Sequence, residues 1–140
     1  MPDAAKKPAP RPSPESEPYW KAAREHRLEI QHCDACGQFW FPPSQSCPHC
    51  QATSFTWRPV SGRGKVFSFV TYHRVYHPAF AKEVPYVVAL VELDEGPRLL
   101  TNIVGVPPQE VVCDMPVQVT FDDDNEGVAV PKFTPLKAGT

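Results

Sequence analysis

From residue 55 onward, apolar side chains either alternate with polar ones or run together in short stretches, which is how strands with one or both faces buried read in sequence. The stretches cover residues 55–60, 65–76, 86–93, 98–104, 116–121 and 128–130. Turn-forming residues separate them: Gly62 and Gly64, Pro85, Glu95-Gly96, Gly105-Val106-Pro107-Pro108, and the acidic run from Asp122 to Gly127. About five strands of uneven length, no long helical period and a tight glycine turn at the entry predict a mainly β fold built on a small closed OB-type barrel. An open sandwich is the competing architecture.

Upstream the pattern changes. Ser16 stands where it can cap a helix whose first turn holds Glu17 and Pro18, and good helix formers follow to Leu28. The expected helix has about ten residues, too short to stand alone, so it must pack on something. Trp20, Ala23 and Arg27 fall on one face with Tyr19, Ala22 and His26 beside them. A Tyr-Trp pair there suits either a core or an interface anchor. Residues 1–15 carry most of an N-terminal concentration of proline, six of the chain's 18 lying in the first eighteen positions, and almost nothing apolar. That composition predicts an extended, disordered arm.

Between helix and strands lie two Cys-x-x-Cys pairs, Cys33 with Cys36 and Cys47 with Cys50, ten residues apart. Each pair can put two thiolates on one tight turn, and two facing turns close a tetrahedron around Zn²⁺. With no secretory signal in view, this spacing reads as metal rather than disulfides. Four protein ligands leave no place for water or substrate, so the expected role is structural. Residue types alone admit iron in the same geometry. His32 and His49 flank the ligands as neighbouring imidazoles, and Phe39, Trp40, Phe41 and Pro42-Pro43 can roof a site too small to build its own core. Cys113, far downstream in an apolar stretch, reads as a small buried hydrophobe.

Composition narrows the remaining choices. At 140 residues the chain has room for one compact domain and a small metal module, with boundaries expected at 1–15 (arm), 16–52 (helix and ribbon), 53–135 (barrel) and 136–140 (tail). A formal charge of -2 argues against a general polyanion binder. No apolar run is long enough to span a membrane, and no apolar leader segment appears, so the cytoplasm is the expected compartment.

The ordered strings Tyr19-Trp20, Cys33-Asp34-Ala35-Cys36-Gly37, Phe41-Pro42-Pro43 and Cys47-Pro48-His49-Cys50 are followed by residues 61–68, 88–97 and 114–117. In that order and spacing they resemble a family of acyl-CoA-associated proteins in which a rubredoxin-like zinc ribbon precedes an OB-fold. The resemblance covers nearly everything after residue 16. It implies an accessory subunit of thiolase-superfamily enzymes (thiolases, acyltransferases or retro-aldolases), in which the larger partner carries the chemistry and the small one helps frame the acyl-CoA route. A hetero-oligomer is implied. Two positions depart from the family pattern: Cys113 and Gln51 stand where glycine is usual.

No catalytic constellation is legible. His73, Arg74 and His77 lie close together, but no nucleophile or carboxylate sits at a recognisable offset, and a polar hairpin face is the simpler reading. Gly62-Arg63-Gly64 precedes a strand, not a helix, and so reads as a turn rather than a phosphate loop. The chain is therefore expected to have no turnover alone. Arg63, Lys65 and Arg74, with Arg58, form the densest basic set and are the candidates for CoA phosphates, while Tyr19 and Trp20 are candidates for partner contact. The alternative is a single-stranded nucleic-acid-binding barrel, with Phe67, Phe69 and Tyr72 stacking on bases. The acidic balance and Asp122-Asp123-Asp124 weigh against it.

Overall fold

The computed structural model describes residues 11, 13–74, 78, 84–125 and 128–136. One helix, α1 (Glu17–Arg24), leads into β1 (Glu29–Cys33), β2 (Phe39–Trp40) and β3 (Phe55–Pro59), which form an antiparallel sheet ordered β2-β1-β3. Then come β4 (Arg63–Tyr72), β5 (Tyr86–Leu93), β6 (Arg98–Ile103), β7 (Pro116–Asn125) and β8 (Val128–Pro135), closed in the order β4-β5-β6-β8-β7. All pairings in the barrel are antiparallel except β6 with β8. This is the five-stranded OB arrangement expected, and closure removes the unpaired edges that the open sandwich would expose.

β5 shows why the barrel forms. Val87, Ala89, Val91 and Leu93 are buried while the residues between them are only half-buried, the period of two that one interior face requires. Their layer joins Val66, Leu99, Ile103, Val117 and Phe133, and Tyr19, Leu28 and Ile30 belong to the same cluster. Helix and ribbon base therefore share the barrel's core.

Four local expectations change. The strand at residues 55–60 forms, but as β3 it pairs with β1 in the ribbon sheet. The Ser16 hydroxyl bonds Ser13 rather than a free helix N–H, so it does not cap α1. The helix has 8 residues because His26, at φ 60, turns left-handed and ends it: the N–H groups of His26 and Arg27 bond the carbonyls of Ala23 and Ala22. The acidic run is shorter as a break than expected: β7 continues to Asn125, with Asp122 paired to Lys132 at 3.0 Å and Asp123 bonded to His26 at 2.8 Å, and residues 126 and 127 lie outside the described residues. The His26 ring also stacks on Phe121, 5.1 Å between centroids, fastening the helix end to β7. The arm, apart from residues 11 and 13–15, and most of the tail lie outside the described residues, as does His77.

Candidate metal centre and its surroundings

The two Cys-x-x-Cys segments fold as near copies of each other. In the first, the Cys33 N–H bonds Gln38 O at 2.8 Å and the Gly37 N–H bonds Cys33 O at 2.9 Å. In the second, the Cys47 N–H bonds Ala52 O at 2.8 Å and the Gln51 N–H bonds Cys47 O at 2.7 Å. Both turns need a left-handed residue after the second cysteine, supplied by Gly37 at φ 79 and by Gln51 at φ 65. Gln51 thus keeps the knuckle geometry and carries the conformational cost that glycine would avoid.

The turns bring all four sulfurs within 4.8 Å of one another. Cys33 and Cys50 Sγ are 3.5 Å apart, Cys36 and Cys47 Sγ 3.7 Å. A tetrahedron with Zn–S bonds of about 2.3 Å has edges of about 3.8 Å, so the sulfurs already stand where a metal would hold them. Both separations are far beyond a disulfide bond. Backbone N–H groups of Cys36 and His49 point at the sulfurs of Cys33 and Cys47, at 3.4 and 3.3 Å. That Cys36 N–H pulls the Cys33 thiol down to about 7. The Gln38 N–H lowers the Cys36 thiol, but burial and the neighbouring sulfurs outweigh it and push that thiol up to about 12. Four sulfurs this close cannot all be thiolates without a cation among them, which is the signature of a donor set built for a metal.

The rest of the ribbon braces these turns. Cys33, Cys47 and Trp40 form a small core with Ala52 and Phe55 against it. Buried Gln31 donates to Ser44 O at 2.8 Å and accepts from Ser44 N–H at 2.9 Å, while Trp40 Nε1 donates to Ser44 Oγ at 2.9 Å. Asp34 accepts from Thr56 Oγ1 at 3.0 Å, tying the first knuckle to β3. The Gln31–Ser44 pair was missed in sequence because its two members lie 13 residues apart and meet only in the fold. Of the two histidines, His49 is exposed and His32 packs edge-on to Phe39 at 4.8 Å, and neither joins the cysteine cluster.

The other candidates scatter. Tyr19 is 7% exposed, packs on Trp20 and Phe41, and belongs to the core, so it is withdrawn as a contact residue; burial pushes its phenol up. Trp20 is half-buried beside it. Arg63 is exposed at the start of β4, and Arg74 is exposed beyond the far end of that strand. Lys65 sits between Glu92 and Asp114, 4.0 and 3.9 Å away. Arg63 and Lys65 thus stand two residues apart near one end of β4, and Arg74 lies at the other. His73 is exposed just past the end of β4, in one hollow with Tyr72 and Arg74. Cys113 is exposed in a turn before β7, not buried in a strand, because the chain must pass Asp114 at φ 69 to let its N–H reach Val66 O. Between ribbon and barrel lies a cleft of about 510 Å³ lined by Phe39, Trp40, Phe41, His49, Glu95 and Pro97, with no lysine or arginine in its wall among the described residues. No helix among the described residues is long and apolar enough to cross a membrane.

Fold and site together define a rubredoxin-type ribbon carried on an OB barrel. Residues 20–56 match the family described as the ChsH2 rubredoxin-like zinc ribbon domain, and residues 57–122 match the ChsH2 C-terminal OB-fold domain. A solved chain described as "Ltp2-ChsH2(DUF35) aldolase" superposes with a TM-score of 0.82 at 40% identity, covering 90% of this chain and 98% of that one. A benzoylsuccinyl-CoA thiolase subunit BbsA of Thauera aromatica is 30% identical over 109 residues, 76% of this chain and 73% of the relative. A probable enoyl-CoA hydratase alpha subunit of Thermomonospora curvata is 44% identical over 119 residues, 84% of this chain but 36% of that protein. The chain thus spans about a third of the hydratase subunit's length. It belongs to the ChsH2-type DUF35 family of zinc-ribbon and OB-fold proteins.

Proposed function

We propose that this chain is an accessory subunit of a larger thiolase-superfamily enzyme that forms or cleaves a carbon–carbon bond next to a CoA thioester. Its part is to dock on that enzyme and help shape the acyl-CoA entrance, with zinc held by Cys33, Cys36, Cys47 and Cys50 bracing the ribbon. The observation that carries the reading is the near full-length likeness to a chain solved as an "Ltp2-ChsH2(DUF35) aldolase", on a scaffold whose four cysteine sulfurs converge on one site. Zinc is preferred to iron because the matching family is described as a zinc ribbon and a closed four-thiolate site needs only a fixed tetrahedron. The units expected at 16–52 and 53–135 act as one body, since their side chains share a core. The proposed compartment is the cytoplasm, where acyl-CoA is handled and thiols stay reduced. Arg63, Arg74 and Trp20 are the residues proposed to face substrate or partner.

Purification of the chain from its host under native conditions tests this. A larger acyl-CoA enzyme should co-elute with it, and about one zinc per chain should survive dialysis. A chain that elutes alone and turns over an acyl-CoA itself would overturn the proposal.

A further inference from the structure

We infer that the outward face of β4, β5 and β6 is the surface that the larger subunit covers, through an apolar, uncharged patch of its own. This rests on the accessory reading above and locates it on the molecule. Phe67, Val70 and Tyr72 on β4 are 43%, 53% and 37% exposed, and Leu100 on β6 is 73% exposed. The register joins them. Tyr72 lies opposite Tyr86, Val70 opposite Val88, and Ser68 opposite Leu90, which in turn faces Leu100. With Val87, Ala89, Val91 and Leu93 turned into the barrel, Tyr86, Val88 and Leu90 must point outward between the two flanking strands. Exposed apolar surface running across three adjacent strands is what a soluble chain keeps for a partner.

The charge arrangement selects the kind of partner. Arg98 Nε donates to Glu92 Oε2 at 3.0 Å, and its guanidinium lies 3.7 Å over the Phe67 ring. Lys65 stands between Glu92 and Asp114. Two cations and two carboxylates cancel at this border. Within the face, Asn102 Nδ2 donates to Val87 O at 2.9 Å. These polar groups are bonded inside the molecule already, so an apolar partner can exclude water here without stranding them. A polyanion gains little, because it would have to take Arg98 from Glu92 first. The exposed apolar side chains stand on the face of the sheet, which makes side-chain packing the mode of docking.

The test uses the full chain and the purified larger subunit that co-elutes with it, comparing wild type with Leu100→Asp, Val70→Asp and the milder Leu100→Gln by calorimetric titration. Leu100→Asp and Val70→Asp should each weaken binding about a hundredfold by burying an unpaired carboxylate, Leu100→Gln less, and all three should melt with wild type because the positions are exposed. Equal binding by wild type and both Asp variants would overturn this face while leaving the accessory reading intact. If wild type binds no acyl-CoA enzyme, that reading falls and this face loses its occupant with it. Sedimentation of the chain alone should show a monomer, and a dimer abolished by Leu100→Asp would make a second copy the occupant and refute the proposal. Tight binding of oligo-dT that Leu100→Asp abolishes would refute it too, in favour of a nucleic-acid face.

Discussion

Removing the metal should unfold the knuckles and leave the barrel standing. The ribbon's separate core holds Cys33, Trp40 and Cys47 with Ala52 and Phe55 packed on it, and two of its three buried members are ligands. Burying Trp40 contributes about 3 kcal/mol at most, whereas metal binding in small modules supplies about 10–16 kcal/mol of apparent folding energy. Without the cation, one core indole faces the ordering cost of two turns and the 41–46 linker, and it loses. The barrel is different: Val66, Val87, Val91, Val117 and Phe133 are buried together far from any ligand, and Leu28 and Ile30 anchor the ribbon's base to them. Adding a strong chelator under reducing conditions should therefore abolish amide exchange protection at Cys33, Cys47 and Gln51 while Val91 and Val117 stay protected. Cys36→Ala should give the same pattern, and re-added zinc should rescue only the chelated wild type. Retained protection at Cys47 after complete metal removal would refute the reasoning.

Three further outcomes follow from the structure. In metal-loaded protein, Gln51→Gly should raise stability by about 1 kcal/mol by relieving a left-handed non-glycine residue, and Gly37→Ala should lower it by about as much, read as melting shifts of about 3 °C of opposite sign. Gly37 has nothing within 4 Å of an added Cβ, so that cost is conformational alone. Gly64→Ala acts differently: its Cβ would meet Glu92 O at 2.3 Å and Leu93 Cα at 3.0 Å, backbone atoms that cannot step aside. Urea titration should show it losing about 3 kcal/mol or more, since β4 is paired with both β5 and β7 at that residue. The Tyr19 phenol, raised by burial, contributes stability that is complete below the ordinary phenol value of about 10 and is lost as pH rises through the higher folded value. Wild type should thus lose stability above pH of about 10 more steeply than Tyr19→Phe, with melting curves as the measure.

The parts of this molecule written in local patterns were legible in sequence. The apolar run of β5, the glycine breaks and the two Cys-x-x-Cys turns each follow from the residues themselves, and they carried the barrel and the metal centre. What sequence could not show was pairing at a distance. Residues 55–60 alternate like any barrel strand, yet their partner is β1, a choice made by Cys33 and Phe55 meeting across the ribbon. Lys65 reads as a free cation until folding brings Glu92 and Asp114 beside it. Asp122 and Asp123 read as a solvated turn because Lys132 and His26 are their partners only in space. Tyr19 could be read as an anchor for another protein because Phe41, the ribbon ring it packs against, lies 22 residues away in sequence.

The most direct measurement is the rate of acyl-CoA carbon–carbon cleavage or condensation by the co-eluting larger subunit, with this chain present, absent, or stripped of metal. The account predicts full turnover only with the intact chain, little with the metal-stripped one, and none from the chain by itself. Undiminished turnover by the larger subunit in its absence would contradict it.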